Sequence, residues 1–301
     1  MFGVLVLRMS LSAFIDYIRL EKRFSPHTLS AYRKDLESFA AFCESHYQLT
    51  ILAQVEYSII REWIMHLSSK GLKSQSINRK CSALKSYFRF LQKIAEIEQS
   101  PMQFHRQLKT TQKLVVPLTE KEFRAVIEMY DHSNFEGSRD ALILELLYST
   151  GMRRAELLSL TLDAIDRNNR KLQVVGKRNK TRIIPLLPKL ISQMDRYLVH
   201  RSQIEKAKGF KWLFVNRKGK KLNPSQVYKC VTTYLSKVST KEKVSPHVLR
   251  HTFATHLLNR GADINSIKEI LGHKSLSSTQ IYAKVQLPKM KKDYLIAHPR
   301  A

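Results

Sequence analysis

The chain is expected to be mostly α-helical with a small β component: an all-helical first part followed by an α+β second part. Three observations carry that expectation. Apolar residues recur at three-to-four spacing through most of the 301 residues, which marks amphipathic helices. Period-two alternation is confined to short runs after residue 170. Between the two parts, residues 99–117 lose the periodic pattern, contain no Asp or Glu, and carry Pro101 and Pro117 near their ends.

Residues 1–98 hold four expected helices. The first, about Leu11 to Lys22, turns Phe14, Ile15 and Ile18 to one side; the pattern starts so late that Met9 is a candidate start. The second opens at Ser25-Pro26 and repeats Leu29, Tyr32, Leu36, Phe39 and Cys43. The third carries Ile60, Trp63, Ile64 and Leu67 and stops at Gly71. The fourth, capped by Ser74 or Ser76, runs through Ile77, Cys81, Leu84, Phe88 and Leu91. Four such stripes make a small bundle. Its outer faces are basic, with Arg19, Lys22, Arg33, Lys34, Arg79, Lys80 and Lys85 among them, which suits a DNA backbone. Residues 99–117 then read as a basic linker.

Residues 118–287 form the second domain. Thr119 and Glu122 make a capping box, followed by a helix to about Tyr130 and another from Ser138 to Ser149. Gly151 breaks it, and Arg153, Arg154 and Glu156 open a short helix. Leu172–Val175 and Thr181–Pro185 flank a basic turn, Gly176–Lys180, as a hairpin. That turn lacks the glycine spacing and Lys-Ser/Thr pair of a nucleotide-binding loop. A helix from Pro188, a strand over Trp212–Val215 and a helix from Asn223-Pro224 to Val238 come next. Ser245 to Val285 reads as three short helices: one opened by Ser245-Pro246 and closed by Gly261, a second capped by Asp263 and closed by Gly272, and a third capped by Ser275 or Ser277 and carrying Tyr282. Residues 288–301 form a tail suited to docking on a neighbouring protomer.

Charge narrows the partner. Lys and Arg number 52 against 25 Asp and Glu, a net +27, which points to a polyanion. Hydrophobic residues at 43% argue for folded domains, not a basic disordered tail. No apolar run approaches the ~18 residues of a spanning helix, so nucleic acid is favoured over a membrane. Three scattered cysteines, Cys43, Cys81 and Cys230, without CxxC or Cys/His grouping, fit a reducing cytoplasm and neither disulfides nor zinc.

Within the C-terminal stretch His247 and Arg250 are three apart and share a helical face. His273 follows the Gly272 turn, and Tyr282 lies nine residues beyond. Fixed cations, proton carriers and a nucleophile are what phosphate chemistry uses. The plainer reading, helix-face histidines and a half-buried tyrosine, stands beside it on these residues alone.

The ordered set Thr150-Gly151-Met152-Arg153-Arg154-Ala155-Glu156-Leu157, Val175-Gly176-Lys177, His247-Val248-Leu249-Arg250, Leu271-Gly272-His273 and Ile281-Tyr282 resembles the tyrosine recombinases of the phage integrase family. Within it the chain is most similar to the bacterial Xer recombinases, and the ending His298-Pro299-Arg300-Ala301 is like the XerD type. The resemblance implies an N-terminal SAM-like core-binding bundle and a recombinase catalytic domain. Tyr282 matches the nucleophile, Arg153 and Arg250 the clamps on the scissile phosphate, and Lys177 the general acid. His247 matches the proton carrier, His273 a further phosphate ligand, and Glu156 a supporting residue; Arg154 is read as an extra backbone contact. Also implied are cutting and rejoining of DNA through a 3′-phosphotyrosine, without metal, ATP or cofactor, and a role in resolving chromosome dimers at cell division. The implied partners are double-stranded DNA with a specific core site, an XerC-like second recombinase or another copy in a synaptic tetramer, and an FtsK-type translocase. A mobile-element integrase, a type IB-like topoisomerase and a catalytically silent DNA-binding regulator are the competing readings.

Overall fold

A computed structural model describes residues 2–110, 116–176, 180–239 and 244–272, with side chains from residue 10 onward. The chain divides into two compact units, Met1–Lys113 and Leu114–Ala301, each with its own core.

The first unit holds α1 (Phe2–Leu20), α2 (Pro26–Tyr47), α3 (Tyr57–Ser69) and α4 (Ser74–Lys93). Helix α1 starts at Phe2, well ahead of the expected Leu11. Ser25 caps α2 by accepting from the Thr28 N–H, with Pro26 in the first turn as expected. Helix α4 departs from expectation: Lys73 is its N-cap, without a side-chain cap, and Ser74 already lies inside the helix. The apolar stripes meet in one cluster that includes Phe14, Leu36, Phe39, Trp63, Leu84 and Phe88. Cys43 and Cys81 sit in that core, where burial pushes their thiols up to about 12 and about 11.

Loss of periodicity after Gln99 does not mean loss of packing. Met102 is fully buried in the bundle core. The Asn78 side chain on α4 binds the Leu108 backbone both ways, donating to its carbonyl at 2.8 Å and accepting its N–H at 2.9 Å. One amide group thus satisfies both backbone groups of a residue that lies outside any helix or strand.

The second unit is built around α6 (Phe135–Thr150), buried on every side from Ala141 to Thr150. Around it lie α5 (Glu120–Glu128), α8 (Pro188–Ser202), α9 (Pro224–Val238) and α10 (Pro246–Asn259). The Thr119–Glu122 capping box is present in both directions. Asn134, not the vicinity of Ser138, caps α6. The strands β1 (Ile165–Asp166), β2 (Lys171–Val175) and β3 (Thr181–Pro185) form an antiparallel sheet in that order.

Trp212–Val215 is not the expected strand; only isolated bridges, Thr161–Trp212 and Val215–Lys221, occur there. Leu213, Phe214 and Val215 are all buried, so no solvent face remains to alternate with. The carbonyls of Phe210, Trp212 and Leu213 are taken by side chains instead, and that of Phe214 accepts the Leu222 N–H. Tyr197 Oη donates to the Leu213 carbonyl at 3.0 Å, and Arg201 donates to Leu213, Phe210 and Trp212. Satisfied backbone leaves no reason to form a ladder.

Candidate active site

The site begins where α6 ends. Gly151 takes the left-handed conformation, φ 58°, that a helix stop favours. A side chain there would also collide: an added Cβ would lie 2.5 Å from Phe253 and 2.7 Å from Leu271. The chain turns directly into α7 (Arg154–Leu158), with Arg153 as its N-cap. Glu156, at the third helical position, folds back to accept the Arg153 backbone N–H at 2.8 Å and Arg153 Nη1 at 2.9 Å. A carboxylate in a first helical turn also complements the helix dipole.

A second cation meets Glu156 from the sheet. Arg182 on β3 donates through Nη1 and Nη2 to the two carboxylate oxygens, at 3.1 and 2.7 Å. Glu156 is 5% exposed. Burial alone would push its carboxyl up; the Arg182 and Arg153 bonds outweigh that and hold it below the ordinary carboxylate value.

Arg250 arrives from α10. Its Nη1 donates to the Gly151 carbonyl at 2.6 Å and its Nη2 to the Leu271 carbonyl at 2.7 Å. Leu271 ends α11 (Ile264–Leu271), which Asp263 caps and Gly272 closes at φ 64° as expected. Desolvation, and then the like charge of Arg153, lower the Arg250 guanidinium to about 10. At neutral pH it stays protonated, held beside another cation at a cost that an incoming anion would relieve. His247 is exposed in the first turn of α10, one turn from Arg250.

Arg153, Glu156 and Arg250 are thus brought together by α6–α7, α10 and the end of α11. Lys177, His273 and Tyr282, with the helix expected after Ser275 and the 288–301 tail, lie outside the described residues. The glycine before Lys177 is described. Gly176 donates to the Lys180 carbonyl at 2.7 Å across the hairpin, and a Cβ on it would stand 3.5 Å from Glu156 Oε1. Arg154, expected as a DNA backbone contact, donates to the Pro224 carbonyl in the first turn of α9 at 3.3 Å. Among the described residues, no group of three His, Cys, Asp or Glu side chains is placed to hold a metal ion.

Arg182 was not among the residues that sequence reasoning selected. A signal existed: Arg182 pairs with Val174, and Ile184 with Leu172, so Arg182 shares its face with buried apolar residues. An arginine at an inward position of an alternating strand implies a buried acceptor.

Three guanidiniums surrounding one carboxylate leave a local surplus of positive charge, suited to a phosphodiester. The profile described as the phage integrase family matches residues 116–287, and that of the phage integrase N-terminal SAM-like domain matches residues 11–93. The chain is 36% identical over 291 residues to tyrosine recombinase XerC of Bacillus subtilis (strain 168), covering 96% of this chain and 95% of the relative. It is 34% identical over 299 residues to the XerC of Pelotomaculum thermopropionicum, covering 96% and 97%. These relatives carry the XerC name, so the XerD-type resemblance read from the last four residues is not upheld. Similar folds include the XerH recombinase bound to a palindromic difH substrate, with TM-score 0.70, 24% identity and coverage of 88% of this chain and 78% of that one. The Tn1549 transposon integrase bound to transposon right-end DNA also matches, with TM-score 0.69, 21% identity and coverage of 94% and 99%. The chain belongs to the phage integrase family and is an Xer-type tyrosine recombinase, a site-specific DNA recombinase.

Proposed function

We propose that the protein breaks and rejoins DNA at a specific core site by transesterification, with Tyr282 as nucleophile. The phenol oxygen attacks the scissile phosphorus, a 3′-phosphotyrosine forms, and the 5′ oxygen leaves and takes a proton. One ester replaces another, so the reaction runs without ATP. Arg153 and Arg250 neutralise the charge that builds on the non-bridging oxygens, and His273 adds a further ligand. His247 accepts the tyrosine proton, and Lys177 protonates the leaving oxygen. A 5′-hydroxyl from a second duplex then reverses the step and reseals the strand with new connectivity.

The observation that carries this reading is the guanidinium cluster around Glu156, with Arg153 and Arg182 bonded to the carboxylate and Arg250 fixed on the Gly151 and Leu271 carbonyls. Guanidinium forks supply fixed, permanently charged donors where charge develops, at roughly 3 kcal/mol per well-placed donor.

The basic four-helix bundle of residues 1–98 holds the DNA around the core site, residues 99–117 lead into the catalytic domain of 118–287, and the 288–301 tail docks on a neighbouring protomer. Two protomers bind each site and four form the synapse. The XerC names of the relatives favour the XerC side of a heteromeric pair acting at chromosome dimers, with a septal translocase of the FtsK type as activator, in the cytoplasm. The test uses a nicked suicide substrate built on DNA recovered covalently bound to the protein from cells. A protein–DNA adduct that forms in the presence of a chelator and is absent with Tyr282→Phe is expected. An adduct retained by Tyr282→Phe, or dependent on magnesium, would sink the proposal, and relaxation of any supercoiled plasmid would favour a topoisomerase.

A further inference from the structure

We infer that Arg182 is a positioning residue of the phosphate cradle: it fixes Glu156 and the end of α11, and through them aims Arg153 and Arg250. This rests on the reading of Arg153 and Arg250 as phosphate holders.

Arg182 is directed inward, its side chain 13% exposed. Its three nitrogens reach two elements. Nη1 and Nη2 take both oxygens of Glu156, and Nε donates to the Ile270 carbonyl at 2.7 Å. The fork fixes the plane of the carboxylate. With that plane set, Oε2 accepts the Arg153 backbone N–H and Oε1 accepts Arg153 Nη1. Four donated hydrogens fill the capacity of one carboxylate, so Glu156 has a single orientation and Arg153 a single anchor.

The second attachment concerns Arg250. The last carbonyls of a helix lack intrahelical partners. At the end of α11 two successive ones are taken by arginines: Ile270 by Arg182 and Leu271 by Arg250. The two guanidiniums therefore share one peptide segment, and a shift of the first moves the acceptor of the second. The fit around Arg182 is close. A Cβ on Gly272 would lie 3.2 Å from its Nη1, and one on Gly176 would lie 3.5 Å from the same atom.

A charge-only role and a positioning role differ in what lysine does. An ammonium keeps the charge, but a single nitrogen cannot reproduce a planar fork plus a third bond in another direction. If Arg182 acted only as a cation, Arg182→Lys would cleave like wild type.

The experiment measures single-turnover cleavage at saturating nicked DNA, DNA affinity and thermal unfolding for wild type, Arg182→Lys and Arg182→Gln. Both variants are expected to cleave about 10- to 100-fold more slowly, the cost of misplacing aligned groups by about an ångström, with DNA affinity nearly unchanged. On a substrate with a neutral methylphosphonate at the scissile position, the loss relative to wild type should shrink, because the charge that Arg153 and Arg250 hold has been removed. Wild-type cleavage by Arg182→Lys would overturn the inference. So would a loss confined to DNA affinity, or one undiminished on the methylphosphonate. If Arg182→Gln does not fold, Arg182→Lys decides alone; unfolding of both would reduce Arg182 to a stabilising partner. Failure of wild type to form a Tyr282-dependent adduct would instead remove the reading of the reaction itself.

Discussion

Asp35 in the first unit and Glu156 in the second are both buried carboxylates gripped by two cations, one about half-exposed and one largely covered. Asp35, on α2, accepts from Arg79 and Lys80 on α4. Glu156, on α7, accepts from Arg153 and Arg182. The surroundings separate them. Lys80 lies over the Trp63 ring of α3, its Nζ 5.7 Å from the centroid, so the Asp35 cluster ties three helices together. The Glu156 cluster adds Arg250, whose charge is opposed by desolvation and by Arg153. Both clusters hold more positive charge than their carboxylate balances, by one around Asp35 and by two around Glu156, where the added guanidinium is itself desolvated. The additional, desolvated guanidinium, not the presence of a buried ion pair, distinguishes the site from the clasp.

Cutting the surplus is the strongest way to test this contrast. Arg250→Ala should slow strand cleavage by about 10²–10³-fold at saturating DNA, the range for removing one donor to a developing oxyanion. Asp35→Asn should leave that rate close to wild type while destabilising the first unit by about 3 kcal/mol, since it strands two cations beside a partner without charge. The chain's two tryptophans, Trp63 and Trp212, lie one in each unit. Urea unfolding followed by Trp63 fluorescence in a Trp212→Phe background therefore reports the first unit by itself. A cleavage defect in Asp35→Asn comparable to that of Arg250→Ala would erase the distinction.

Next in size is Gly151→Ala, expected to cost about 2 kcal/mol from the left-handed backbone alone, with the Phe253 and Leu271 contacts adding to it. Because the Gly151 carbonyl holds Arg250, cleavage should fall together with stability. A stable Gly151→Ala with full activity would mean that the turn does not place the arginine.

The helices were legible in proportion to how local their causes are. Ser25, Thr119, Asn223 and Asp263 cap helices through side chains within three residues of the groups they bind, and glycines stop α6 and α11. Trp212–Val215 does not form the expected strand because what decides it, carbonyls claimed by Tyr197 and Arg201, lies 11 to 16 residues away and leaves no local mark. In the site, Arg153, Glu156 and Arg250 were visible through motif order. Arg182 was not, since its partners Glu156 and Ile270 are 26 and 88 residues distant. A hairpin read for its turn hides the register of its strands, and that register is what turns Arg182 inward.

The smallest expected effect is a pH dependence that sets Glu156 apart from its neutral replacement. Its folded-state value lies below the ordinary 4.5 because Arg182 and Arg153 favour the carboxylate over the acid, against the opposing effect of burial. A group lowered on folding binds fewer protons in the native state than in the unfolded one, so stability rises with pH across that interval. The stabilisation is therefore complete above the unfolded-state value and fades as pH falls through the folded-state value. Glu156→Gln has no proton to take up there. The stability gap between wild type and Glu156→Gln, followed through Trp212 unfolding in a Trp63→Phe background, should be constant from pH 7 to about 5 and narrow below it. A gap that widened on acidification would mean that burial outweighs the two arginines and raises the carboxyl above its unfolded-state value, so that the cluster would lose its anion on mild acidification.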